Sequence, residues 1–293
     1  ILGIERNTYD YKYLKAYREV FDYPQYDQIT AGGLAGGHSG LEIIKERGNS
    51  NKLLARVLDD IVRRYPCSIA AIHGGIAANA IPKESWAVVA VRAADKELTA
   101  LLDQWEKIFR HELRGSDGAG FTLTMSEAEA ADRVLTRESA KRVLSAALLV
   151  PDGISSMDMT LTTQRLVETS NNFAMIRMQE GEVVFHCQTR SSSGSRKDAL
   201  CRQIELLGQL TGAKVEHSGD YPAWEYRTDS PVRERMVELF REQYGKEPRV
   251  EAIHAGLECG ILSGKLPGLD CVSIGPDLTE IHTPRERMHI ASV

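Results

Sequence analysis

Four short stretches carry the side chains best suited to bind or polarise a small molecule. Gly36-Gly37-His38-Ser39-Gly40 sets an imidazole among glycines, where backbone can approach a ligand or a partner chain without intervening side chains. In His73-Gly74-Gly75-Ile76-Ala77-Ala78-Asn79-Ala80-Ile81-Pro82 a glycine turn precedes an amide side chain and a proline. Asn79 there is placed to bond a substrate carboxylate or carbonyl, or else to close the loop on its own backbone, the commoner role for its residue type. His254-Ala255-Gly256-Leu257-Glu258-Cys259-Gly260 spaces His254 and Glu258 four apart, on one face if helical, but the zinc-protease pattern His-Glu-x-x-His needs a second histidine that this stretch lacks. The plainer reading is a strand-to-helix turn whose glycine permits close packing. Gly275-Pro276-Asp277-Leu278-Thr279-Glu280-Ile281-His282-Thr283-Pro284-Arg285-Glu286 holds His282 in a polar, proline-bounded loop, accessible and fixed as a metal ligand must be. An ordinary loop histidine is the alternative.

The surrounding periodicity says which elements present these loops. Apolar Leu53, Leu54, Val57, Leu58, Ile61 and Val62 recur at helical spacing within Gly48 to Tyr65, and Asn49 or Ser50 can cap the start. Two apolar runs, Cys67 to Ile72 and Trp86 to Val91, read as paired strands, and a second helix spans Lys96 to Leu113. With a strand before Gly36 and a closing strand over Gly120 to Thr124, the order is that of a split βαβ, ferredoxin-like sheet. A helix is expected over Arg137 to Leu149. Two strands, Asn172 to Met178 and Glu182 to Thr189, should flank a Glu180-Gly181 turn, followed by a helix over Asp198 to Leu210 and a strand over Ala213 to His217. The lid-like portion is thus enlarged. Turn chemistry at Gly219 to Trp224 marks a boundary. Beyond it, a proline-opened helix over Pro231 to Tyr244 and strands at Val250 to Ile253 and Asp270 to Ile274 read as the end of an α/β domain, with its loops at strand termini.

Composition bounds the partners. At 293 residues the chain is long enough for two domains. With 42% hydrophobic and 26% charged residues it is ordinary globular material. No apolar run approaches the roughly 20 residues needed to span a bilayer, and the start lacks the order of a signal peptide. A cytoplasmic location without membrane attachment is therefore expected. A net charge of −5, without a basic stripe, argues against nucleic acid and for a small-molecule substrate. The five cysteines form no Cys-x-x-Cys pair, so neither a disulfide framework nor a structural zinc site is expected.

Taken in order, Gly-Gly-His-Ser-Gly, Gly-Gly-x-x-x-Asn-x-Ile-Pro, His-Ala-Gly-Leu-Glu-Cys-Gly and Gly-Pro-x-x-x-x-x-His-x-Pro-x-Glu resemble the downstream motifs of aminoacyl-histidine (Xaa-His) dipeptidases, in the carnosinase and aminoacylase clan of dinuclear zinc peptidases. The resemblance runs from about Gly32 to Val293 and implies a dipeptide substrate and two zinc ions, or cobalt or manganese, that activate a water. It also implies a homodimer formed through the lid. By residue, it implies His282 as a terminal metal ligand and His38 as the lid histidine that stabilises the oxyanion in the neighbouring subunit's site. Asn79 corresponds to the lid asparagine near the substrate, Arg190 to the lid arginine that grips a substrate carboxylate, and His254 and Gly256 to the lining of the substrate pocket. The family's upstream His-x-Asp segment and its paired glutamates have no counterpart here.

The expectation is an α/β protein. Residues 1–30 form an unassigned lead-in, 31–220 an enlarged ferredoxin-like α+β lid and dimerisation domain, and 221–293 the C-terminal segment of a zinc-peptidase catalytic domain. Such a chain carries part of an active site and is expected to be incomplete and inactive alone. Two other readings stand beside it: a related amidohydrolase or aminoacylase acting on N-acyl amino acids, and a non-catalytic dimerisation module.

Overall fold

The computed structural model describes residues 2–5, 25–131, 133–159, 165–179, 182–220, 222–254, 258–279 and 285–293. The chain divides into two compact units, Ile1–Asp220 with Ile253–Ala255, and Tyr221–Ala252 with Gly256–Val293. No helix of the described residues is long and apolar enough to cross a membrane.

In the first unit, strand β1 covers Leu2–Glu5 and β2 covers Tyr26–Gly32. After the two-residue β3, Gly37–His38, helix α1 runs Ser50–Arg64, with the Asn49 side chain accepting from the Asn51 and Lys52 amides as its N-cap. Strand β4 (Cys67–Gly74), the short β5 (Ala80–Ile81) and β6 (Ser85–Val91) lead to helix α2, Asp95–Glu112, and strand β7, Thr122–Ala128. The neighbours run β4-β6-β2-β7, each pair antiparallel, which is the ferredoxin-like arrangement that the sequence periodicity predicts. Alternation explains the packing. Ile29, Ile69, Ala87 and Val89 point to one face and are sealed by Leu54, Val57, Leu58 and Ile61 of α1 and by Leu98, Leu102 and Phe109 of α2. Each large side chain so buried contributes about 1.5–3 kcal/mol.

Helix α3 (Arg137–Leu149) and strands β8 (Gly153–Asp158), β9 (Leu166–Gln179) and β10 (Glu182–Ser191) enlarge this frame, followed by helix α4 (Gly194–Thr211) and β11 (Lys214–Val215). The sheet continues as β11-β1-β10-β9-β4, so the long β9–β10 hairpin is built onto the ferredoxin-like edge. A bulge between His186 and Cys187 in its ladder lets Phe173 and Phe185 meet in the core, ring centroids 4.8 Å apart.

The second unit holds helix α5 (Pro231–Tyr244), capped by Ser230, helix α6 (Glu258–Lys265) and the two-residue pair β12 (Leu278–Thr279) and β13 (Arg287–Met288). The strands expected at residues 250–253 and 270–274 do not form. A strand needs a partner for its amides, and the ladder present among this unit's described residues is β12–β13.

Candidate functional site

The face of the β9–β10 hairpin opposite its Phe173–Phe185 core carries the site. Ladder register sets Ser170 opposite Arg190 and Asn172 opposite Gln188, and alternation turns these four away from the Phe173–Phe185 core. Each reaches a different neighbour. Ser170 Oγ and His254 Nε2 share a hydrogen bond of 2.8 Å. Asn172 Nδ2 donates to the carbonyls of Ala78 and Ala80, at 3.3 and 2.8 Å, on either side of Asn79. Gln188 Oε1 accepts from Ser39 Oγ and from Arg190 Nη2, both at 3.0 Å.

His38 lies on β3, which pairs with β5, and the Ser39 amide donates to the Asn79 carbonyl at 2.9 Å. Its Nδ1 accepts from the Gly40 and Leu41 amides, both at 3.1 Å. An acceptor at Nδ1 puts the ring proton on Nε2, which makes His38 a donor at its outer nitrogen. Gly40 is the point of convergence. A Cβ there would stand 2.5 Å from the His254 carbonyl oxygen, 3.2 Å from His38 Cε1 and 3.3 Å from Arg190 Nε. Only glycine lets these three residues share one wall.

Burial governs the electrostatics. His254 is 7% exposed, and burial, then the nearby Arg190 guanidinium, lower its pKa to about 4, so the imidazole is neutral. Burial also lowers the Arg190 pKa. Arg190 Nε is buried with no hydrogen-bond partner, and no carboxylate pairs with this guanidinium among the described residues. Asn79 is exposed at its turn. Of the residues singled out from sequence, His38, Arg190 and His254 thus come together, with the Asn79 loop braced alongside. Gly256 and His282 lie outside the described residues. His254 occupies a bend and α6 begins at Glu258, so the two do not share a helix face. Among the described residues no group of three or more His, Cys, Asp or Glu could hold a metal ion.

Behind this wall lies a second polar cluster. Lys52 Nζ donates to the carbonyls of Ala147, Leu148 and Val150. Asp152 Oδ1 accepts from Asn49 Nδ2 and the Phe173 amide, at 2.7 and 2.8 Å, and burial raises its pKa to about 6. A cavity of about 240 Å³ opens here, lined by Arg47, Asn49, Asp152 and Asn172 among others. Ser170, Asn172 and Gln188 were not among the residues expected from sequence. Their signal is the polar run Thr169-Ser170-Asn171-Asn172 between apolar Val167 and Phe173, four polar residues at 1–2% exposure in the middle of a strand. Such a run is stable where its groups find bonds, and of these four side chains Asn172 leaves its Oδ1 buried without one.

Residues 29–117 match the peptidase dimerisation domain of the M20 peptidases. The cytosol non-specific dipeptidase of Escherichia coli (strain K12) is 38% identical over 271 residues, which cover 91% of this chain and 54% of that protein. The crystal structure of the aminoacylhistidine dipeptidase from Vibrio alginolyticus superposes with a TM-score of 0.87 at 28% identity, covering all of this chain and 57% of that one. This chain therefore spans about half the length of the relatives it matches, and over that span it is similar to them.

Proposed function

We propose that this chain is the substrate-gripping part of a zinc-dependent dipeptidase of the Xaa-His type. Residues 31–220 form its lid and pair two copies into a homodimer, and residues 221–293 form a segment of its catalytic domain. The observation that carries this reading is Arg190, a mostly buried guanidinium with an unpartnered Nε and no carboxylate partner among the described residues, set beside His38 and His254. A buried cation without a counter-ion is a receptor for an anion, and a planar fork fits a carboxylate. A dipeptide's terminal carboxylate satisfies it. His38 then serves in the neighbouring subunit's site, as a hydrogen-bond donor to the developing oxyanion. Asn79 and His254 orient the peptide, and Gly256 keeps the pocket-lining role that the family resemblance implies for it.

The described residues do not by themselves fit a two-metal site. His282 is the proposed terminal ligand to zinc, or to cobalt or manganese in its place. The location proposed is the cytosol, as the name of the E. coli relative states for that protein. The runner-up substrate is an N-acyl amino acid, which also carries a carboxylate. Calorimetric titration of this chain with β-alanyl-histidine and with N-acetyl-histidine separates the two. Tighter binding of the dipeptide is expected, whereas equal or tighter binding of the N-acetyl compound overturns the dipeptidase assignment in favour of an aminoacylase.

A further inference from the structure

Gln188 gives one oxygen to two donors from different parts of the site. Ser39, which donates its hydroxyl at 3.0 Å, directly follows His38 and is tied through its amide to the Asn79 carbonyl. Arg190, which donates Nη2 at 3.0 Å, is two residues along β10 on the same face. One half-buried, uncharged acceptor therefore links the loop that aims His38 to the guanidinium. Chemistry narrows what can stand at this position. A glutamate would accept from both donors but bring a full negative charge onto Arg190, while a methionine would fill the volume and accept from neither.

From this geometry we infer that Gln188 is a positioning residue. It fixes the spacing between Arg190 and His38 and, being neutral, leaves the guanidinium uncompensated for an incoming carboxylate. The second half of this statement rests on the reading of Arg190 given above.

The two halves separate experimentally in the full chain at neutral pH. Amide hydrogen exchange over residues 38–41 reports the link, and calorimetric titration with β-alanyl-histidine reports the charge. Gln188→Met should raise exchange at His38 to Leu41 by about tenfold or more, since loss of one such bond is worth about that factor in a local opening equilibrium. Gln188→Glu should leave that exchange near the parent value yet weaken dipeptide binding by about tenfold or more, because an internal ion pair then competes with the ligand. Unchanged exchange in Gln188→Met overturns the positioning role. Parent-like dipeptide affinity in Gln188→Glu overturns the charge role. Absence of dipeptide binding by the parent chain removes the carboxylate reading and the charge role together, and the exchange result then decides the positioning role alone.

Discussion

Ser170 and Arg190 face each other across the β9–β10 ladder, and His254 is bonded by the first while burial, and then the charge of the second, keep it neutral. The arrangement divides labour on one sheet face. Arg190 supplies the positive charge of this cluster, and His254 supplies a neutral, fixed ring that neither competes for the anion nor repels the guanidinium. Both depend on the ladder bulge between His186 and Cys187, which turns Ser170 and Asn172 to the face that Gln188 and Arg190 already occupy.

Arg190 is the residue whose loss should act on binding before anything else. Arg190→Ala is expected to weaken β-alanyl-histidine binding by about 2–4 kcal/mol, the cost of removing a charge-assisted partner from a desolvated site. Arg190→Lys should recover only part of it, because an ammonium lacks the planar fork. Calorimetric titration at neutral pH measures both, and an Arg190→Ala chain that binds like the parent contradicts the carboxylate role.

Gly40→Ala tests the convergence of three residues on one wall. The added methyl meets the His254 carbonyl at 2.5 Å, and that atom is backbone, which cannot swing aside as a flexible side chain would. A destabilisation of about 1–3 kcal/mol is expected from the overpacking. Urea denaturation reads it, and the amide exchange of His38 and Leu41 should rise in parallel. A midpoint equal to the parent's would mean the wall is looser than these distances state.

How much of this was legible beforehand follows from what each signal depends on. The α1 and α2 helices were readable because Leu54, Leu58 and Ile61, like Leu98, Leu102 and Phe109, repeat at the helical period and need no knowledge of their partners. The ferredoxin-like order was readable from the sequence of elements. Residues 250–253 and 270–274 read as strands from their apolar runs yet form none, because such a run states burial without supplying the neighbouring strand. In the site, His38 was marked by residue type and by family resemblance, and Arg190 by the resemblance alone. Ser170, Asn172 and Gln188 were not, since their roles arise from cross-strand register, and register depends on a bulge that no residue type announces.

Asn49 joins the cap of α1 to the second polar cluster. Its Oδ1 accepts the Asn51 and Lys52 amides, and its Nδ2 donates to Asp152 and to the Phe173 carbonyl. Asn49→Ala is expected to cost about 2–4 kcal/mol, a lost cap together with buried acceptors left short of a donor. Asn49→Asp should keep the cap but set a second carboxylate against Asp152, and should recover less at pH 7 than at pH 5, where Asp152 is protonated. Thermal denaturation of the three chains at both values checks the order, and an Asn49→Asp chain as stable as the parent at pH 7 would exclude the Asn49–Asp152 contact.

His254 predicts a pH dependence whose sign can be fixed in advance. Its pKa falls from the ordinary 6.5 to about 4 on folding, so between those values the unfolded chain binds a proton that the folded chain refuses. Stability from this residue is therefore fully present above the unfolded value and is lost as pH falls toward 4, by up to about 3 kcal/mol for a shift of this size. Asp152 works in the opposite sense. Its pKa rises from 3.8 to about 6, so the folded chain takes up the extra proton and acidification from 6 relieves a buried charge. The two contributions offset each other in the whole protein, and a simple acid titration would conceal both. The difference between parent and His254→Gln isolates one, because Asp152 is common to both chains and glutamine can still bond Ser170 without titrating. Urea denaturation at pH 7 and at pH 4.5 is the measurement. Relative to the parent, His254→Gln should gain stability on acidification. Parallel pH profiles for the two chains would show that His254 titrates normally and is not shielded by Arg190 and the surrounding wall.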